Sequence, residues 1–137
     1  MMMQQLHPLK MINKFLLILT CFAFLSANTE QEKEIALHHF MQGEFLMNQG
    51  NYALAVLEFQ DAIDLDPNAA TIHISIADAY RRLGKGKRAE DHLMIALDLD
   101  PKDLEAREML GQLYLAQNKF IDAELVFKEL KILDPDN

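Results

Sequence analysis

Asp64-Leu65-Asp66-Pro67 returns as Asp98-Leu99-Asp100-Pro101 and again, slightly altered, as Ile132-Leu133-Asp134-Pro135, with 34 residues from each proline to the next. A fixed period of that length marks an array of stacked helix hairpins, because one hairpin alone cannot bury its apolar face. With Ala36, Ala70 and Leu104 as first positions, three units fall into register. Position 8 reads Gly43, Ala77, Gly111; position 11 reads Leu46, Tyr80, Tyr114; position 20 reads Ala55, Ala89, Ala123. Position 24 reads Phe59, Leu93, Phe127; position 27 reads Ala62, Ala96, Leu130; position 32 is the proline.

Each repeated residue has a physical reason. Small side chains at positions 8 and 20 let two helices approach closely, and the bulky residues at 11 and 24 fill the space beside that contact. Positions 20, 24 and 27 follow the i, i+4, i+7 spacing that places them on one helical face. Proline fixes φ and lacks an N–H, so it separates one hairpin from the next, with the preceding aspartate available as a cap. Gly50 and Gly84 supply the turns within the first two hairpins, whereas Gln117-Asn118-Lys119 makes the third without glycine.

This pattern resembles the tetratricopeptide repeat over residues 36 to 137. It departs from the family at position 4, where His39, His73 and Arg107 replace the usual tryptophan, and at position 7, which keeps leucine only at Leu110. The resemblance implies an all-α, right-handed superhelical array of antiparallel hairpins, with repeats at 36–69, 70–103 and 104–137 behind a lead-in at 28–35. It also implies a concave groove formed by the first helix of each repeat. Positions 2, 5, 9 and 12 would line it: Leu37, Phe40, Glu44 and Met47, then Thr71, Ile74, Asp78 and Arg81, then Glu105, Glu108, Gln112 and Leu115. Leu37, Phe40 and Ile74 are the expected apolar anchors for a partner peptide or helix, with Arg81 reading charge; the competing reading of Phe40 and Met47 is packing beneath the N-terminal extension. Chaperone-binding members carry a clamp of lysines, asparagines and arginine for a C-terminal carboxylate. The corresponding Phe40, Glu44, Ser75, Glu105 and Met109 include none of these residue types, which argues against that role.

The 137 residues carry a net charge of −8, and the first 27 positions contribute Lys10 and Lys14 and no carboxylate, so the remainder is more acidic still. Such a chain is repelled by phosphate backbones, and nucleic acid is not an expected partner. Lys10 and Lys14 precede an apolar run of 13 residues, Phe15 to Ala27. The run is shorter than the roughly 20 residues of a transmembrane helix and fits the apolar region of an export signal. Cleavage after Ala27 would leave Leu25 at the −3 position, which prefers a small residue, and Met11 offers an alternative start. Two other fates stay open: lipidation of Cys21, since Ile18-Leu19-Thr20-Cys21 resembles a bacterial lipoprotein box, and retention as an anchor.

Cys21 is the single cysteine, so the rest of the chain offers neither a disulfide nor a thiolate ligand. His38, His39, His73 and His92 show no i, i+4 pairing and no His-Glu-x-x-His run, which leaves no metal or cofactor site. Arg81, Arg82, Lys85, Lys87 and Arg88 cluster at the middle turn. They could dock an acidic segment, or simply oppose the C-terminal dipole of the preceding helix. No catalytic constellation emerges. The expectation is an exported, non-catalytic interaction scaffold in a bacterial envelope, periplasmic or membrane-attached through the leader alone. Alternatives are an envelope assembly lipoprotein or the repeat part of a longer enzyme or sensor. The last helix carries outward Ile121, Val126 and Ile132 with no capping helix after it, which points to a continuation of the chain or to homo-oligomerisation through that end.

Overall fold

In the computed structural model, residues 29–135 are described; the leader at 1–27, with Lys10, Lys14 and Cys21, lies outside them. The chain divides into two compact units at Glu34 and Ile35, and the hairpin array belongs to the second. A helix across residues 29–48 (α1) is followed by α2 (Tyr52–Leu65), α3 (Ala70–Arg82), α4 (Gly86–Leu99), α5 (Leu104–Ala116) and α6 (Phe120–Leu133). There is no strand among the described residues. Within the second unit these elements form three antiparallel hairpins, and α3 packs on both α2 and α4, as α5 does on α4 and α6.

The turn chemistry is the same three times over. Gly50, Gly84 and Asn118 stand in the left-handed region with φ of 75°, 70° and 59°. After each, an N–H returns to the carbonyl five residues back: Asn51 to Leu46 (2.9 Å), Lys85 to Tyr80 (2.8 Å), Lys119 to Tyr114 (2.9 Å). The turn residue itself bonds three back, Gly84 N–H to the Arg81 carbonyl at 3.0 Å for example, which completes a Schellman motif. Asparagine tolerates this conformation better than other side-chain-bearing residues, which is how the third hairpin turns without glycine.

Between hairpins, Pro67 and Pro101 occupy the second position of a turn closed by Ala69 N–H to Asp66 O (3.4 Å) and Asp103 N–H to Asp100 O (3.2 Å). The expected cap before the proline needs correction. Asp66 and Asp100 terminate α2 and α4, while Ala69 and Asp103 stand at the starts of α3 and α5. Only Asp103 among these two caps with its side chain, accepting from Ala106 N–H at 2.8 Å.

The core follows the repeated small and large positions. Ala55, Phe59, Ala62, Ala77, Ala89, Leu93 and Ala96 are fully buried. In the last hairpin the equivalent of Phe59 and Leu93, Phe127, is only half-buried, since no further hairpin covers it among the described residues. Of the outward residues expected on α6, Ile121 and Ile132 are 77% and 78% exposed, but Val126 packs against the core.

Two glycines are constrained for opposite reasons, and stability measurements should separate them. A methyl on Gly84 meets nothing, so Gly84→Ala should cost about 1–2 kcal/mol through backbone conformation alone, with Gly84→Asn largely restoring stability. A methyl on Gly43 would run into the Phe59 ring, so Gly43→Ala should cost about 1–3 kcal/mol through overpacking, with no rescue by asparagine. Denaturant midpoints at unchanged slope provide the check.

Candidate functional site

The first helices of the three hairpins converge on one depression of about 140 Å³. Glu44 and Met47 come from α1, Ile74, Ser75 and Asp78 from α3, and Glu105 and Met109 from α5. Five expected groove residues are thus brought together. Ser75 and Met109, absent from the expected lining, join them from the neighbouring position, because the concave stripe is wider than the four positions assigned to it.

The remaining expected residues are placed otherwise. Thr71, Gln112 and Leu115 are exposed along the same helices, and Leu37 is 56% exposed on α1. Glu108 accepts from Gln112 Nε2 at 3.0 Å and lines a separate 300 Å³ cavity with Phe127, Leu130, Lys131 and Asp134 at the open end of the array. The three apolar anchors divide. Phe40 lies against Phe59 with ring centroids 5.9 Å apart, and Ile74 is only 5% exposed. Both serve the core first, leaving Leu37 as the projecting one. Arg81 does not stand as a free charge reader: its Nε donates to Asp78 Oδ1 at 2.9 Å, Nη2 reaches the same oxygen, and Arg82 Nε lies 3.5 Å from the other.

Lys87, Arg82 and Arg88 of the basic cluster are also engaged, while Lys85 is exposed. Lys87 pairs with Asp91 at 2.7 Å, a contact that, with Glu90 nearby, raises its pKa. Arg82 and Arg88 lie over the rings of Tyr52 and Tyr80 at 6.0 and 5.5 Å. Arg81 and Arg82 also occupy the last turn of α3, where the helix dipole favours cations.

Position 4 holds contacts that helical spacing does not reveal. His39 Nδ1 lies 2.8 Å from Glu58 Oε2, and the Asp61 carboxylate joins them within 4.8 Å. The first two already satisfy each other and Asp61 is exposed, so the group reads as an interhelical hydrogen bond with an acidic neighbour. His73 is 4% exposed; its Nε2 bonds the Pro67 carbonyl at 3.1 Å and its Nδ1 meets His92 Nδ1 at 3.1 Å. Those partners assign the proton of neutral His73 to Nε2 and make His92 Nδ1–H the donor between the rings. Arg107 repeats the arrangement, donating to the Pro101 carbonyl at 2.8 Å and reaching Glu129 at 3.4 Å.

Burial lowers the pKa of His92 below its ordinary 6.5, helped by His73 and Arg88 and opposed by Asp91, while Tyr80 stacks on the ring at 5.6 Å. The unfolded chain therefore binds more protons at this site, and stability is lost as pH falls through about 6.5 towards the folded value. Thermal melts across that range should show this decline, and His92→Asn should flatten it.

A stack of three helix hairpins whose first helices share a concave, partly apolar face defines a helical-repeat array of the kind that presents a groove. Two family models, described as "Tetratricopeptide repeat" and "TPR repeat", match residues 74–137 and 43–84. The chain carries tetratricopeptide repeats folded as an all-α solenoid. Among solved structures it is similar to the first repeat domain of Spaghetti (RPAP3) bound to the HSP90 peptide SRMEEVD, at 27% identity and a TM-score of 0.73 over 77% of this chain and 83% of that one. The Arabidopsis OM64 repeat domain superposes with a TM-score of 0.74 at 23% identity, over 77% of this chain and 88% of that one. DnaJ homolog subfamily C member 3 of Gallus gallus is 32% identical over 127 residues, which is 90% of this chain and 24% of that protein. A protein O-mannosyl-transferase of Caenorhabditis elegans is 31% identical over 75 residues, 55% of this chain and 11% of its own length. The chain thus spans a quarter or less of these curated relatives.

Proposed function

We propose that this protein is a non-catalytic interaction scaffold that captures a peptide or helix of a partner in its concave groove. The observation that carries this reading is the convergence of α1, α3 and α5 on one depression, where Met47, Ile74 and Met109 stand among three carboxylates and Ser75. The similarity to a repeat domain solved with a peptide supports it. Leu37, Thr71, Glu105 and Gln112, exposed along those three helices, are available to flank a bound segment.

The proposed place of action is a bacterial envelope, periplasmic or membrane-attached. Its support is Lys10 and Lys14 before the apolar run from Phe15 to Ala27. No helix among the described residues is long and apolar enough to cross a membrane, so attachment in this reading falls to the leader. Lipidation of Cys21 is the alternative to cleavage of the leader in this reading. Cells fed a palmitate analogue should then label the protein, and Cys21→Ser should abolish the label; equal labelling of both forms would exclude lipidation at this residue.

A photo-crosslinking residue at Thr71, exposed on α3 and assigned to the groove by its place in the repeat, should trap a partner in envelope preparations. The same group at Leu57, 61% exposed on α2, should not. Equal trapping from both positions would argue against the groove.

A further inference from the structure

We infer that the groove selects a cationic partner segment, seating a lysine or arginine side chain between Glu44 and Glu105. This rests on the groove reading above and adds the charge of the ligand to it.

Three carboxylates line the depression, and no lysine or arginine does. Asp78 is already held by Arg81 and Arg82. Glu44, half-buried on α1, and Glu105, exposed on α5, have no ion pair among the described residues. Met47 and Met109, both half-buried, and Ile74 at 5% exposure line the same depression. A lysine or arginine suits such a place because its methylenes lie along apolar surface while its head stays at a polar rim. Thioethers adapt to the path of that stem, and two uncompensated carboxylates around a concavity concentrate positive charge there.

The same residues disfavour the opposite ligand. Glu44 and Glu105 stand where the chaperone-binding members of the resembling family place donors for a C-terminal carboxylate. A peptide such as SRMEEVD, held by the related repeat domain, would bring like charge against them.

The test uses the 137-residue protein and two fluorescein-labelled peptides, SRMEEVD and SRMKKVK, in which lysine replaces each acidic residue and the C-terminus is amidated, read by anisotropy at low ionic strength and again with added salt. The cationic peptide should bind about tenfold more tightly than the acidic one, with the difference shrinking in salt. Glu44→Gln combined with Glu105→Gln should erase most of the preference, and Glu105→Lys should shift it towards SRMEEVD. Both positions are solvent-accessible, so the variants are expected to fold, and circular dichroism verifies that. Equal binding of the two peptides, tighter binding of SRMEEVD, no binding of the cationic peptide, or an unchanged preference in the double variant would each overturn the inference. Crosslinking from Thr71 does not depend on these charges, so a failed charge preference with retained groove crosslinking separates this inference from the groove reading itself.

Discussion

The array depends on an aromatic ring laid on bare backbone. Gly43 faces the ring of Phe59 and Gly111 the ring of Phe127, and a Cβ at Gly111 would come within 2.7 Å of Phe127 Cζ. That contact sets how closely the two helices of a hairpin approach. Everything outward of it, including the tilt that exposes one face of α1, α3 and α5, is built on that separation. The middle hairpin solves the same problem with Ala77 and Leu93, a larger residue at position 8 opposite a smaller one at position 24, and both are fully buried. The summed volume is what the packing conserves, as dense interiors require.

Much of this was legible in the sequence because it repeats. A contact made at the same offset in three units leaves a periodic trace, so the hairpins, their small-residue contacts and their turns could be placed from spacing alone. Asn118 shows how far that reading goes: nothing in residues 117–119 is glycine, yet the register requires a left-handed residue there, and asparagine supplies it. The proline joint was located correctly but its chemistry was not. The aspartate before proline ends a helix through its backbone, while the residue three further on starts the next one.

The candidate site was less legible because its residues answer to more than one neighbour. Ile74 and Phe40 sit at positions that a helical wheel turns towards the groove, but α3 has α2, α4 and α5 packed on it and Phe40 on α1 leans on the Phe59 ring of its own hairpin. Burial therefore extends round to those positions. Arg81 has a different history. Its partner, Asp78, lies three residues earlier on the same helix and was itself assigned to the groove, so a local ion pair consumed two residues that spacing had counted as independent. What remains unpaired is anionic, a result that net charge hinted at but could not localise.

Position 4 shows how the array tolerates losing the family's large aromatic ring. A tryptophan there would contribute area; the residues present contribute direction instead. His73 and Arg107 each reach back six residues to the carbonyl of the proline in the preceding joint, at 3.1 and 2.8 Å, and across their own hairpin to His92 and Glu129. Each side chain therefore ties three things together: its own helix, the partner helix and the turn that delivered it. Pro67 and Pro101 are exposed, so each bond exchanges water for a protein donor and contributes about 1 kcal/mol; its direction ties the joint to the hairpin. The recurring Asp-Leu-Asp-Pro phrase then does more than separate units. Its proline turns the chain and, through the carbonyl it exposes, accepts the bond that holds the next first helix, and with it the next segment of the groove, at a fixed angle.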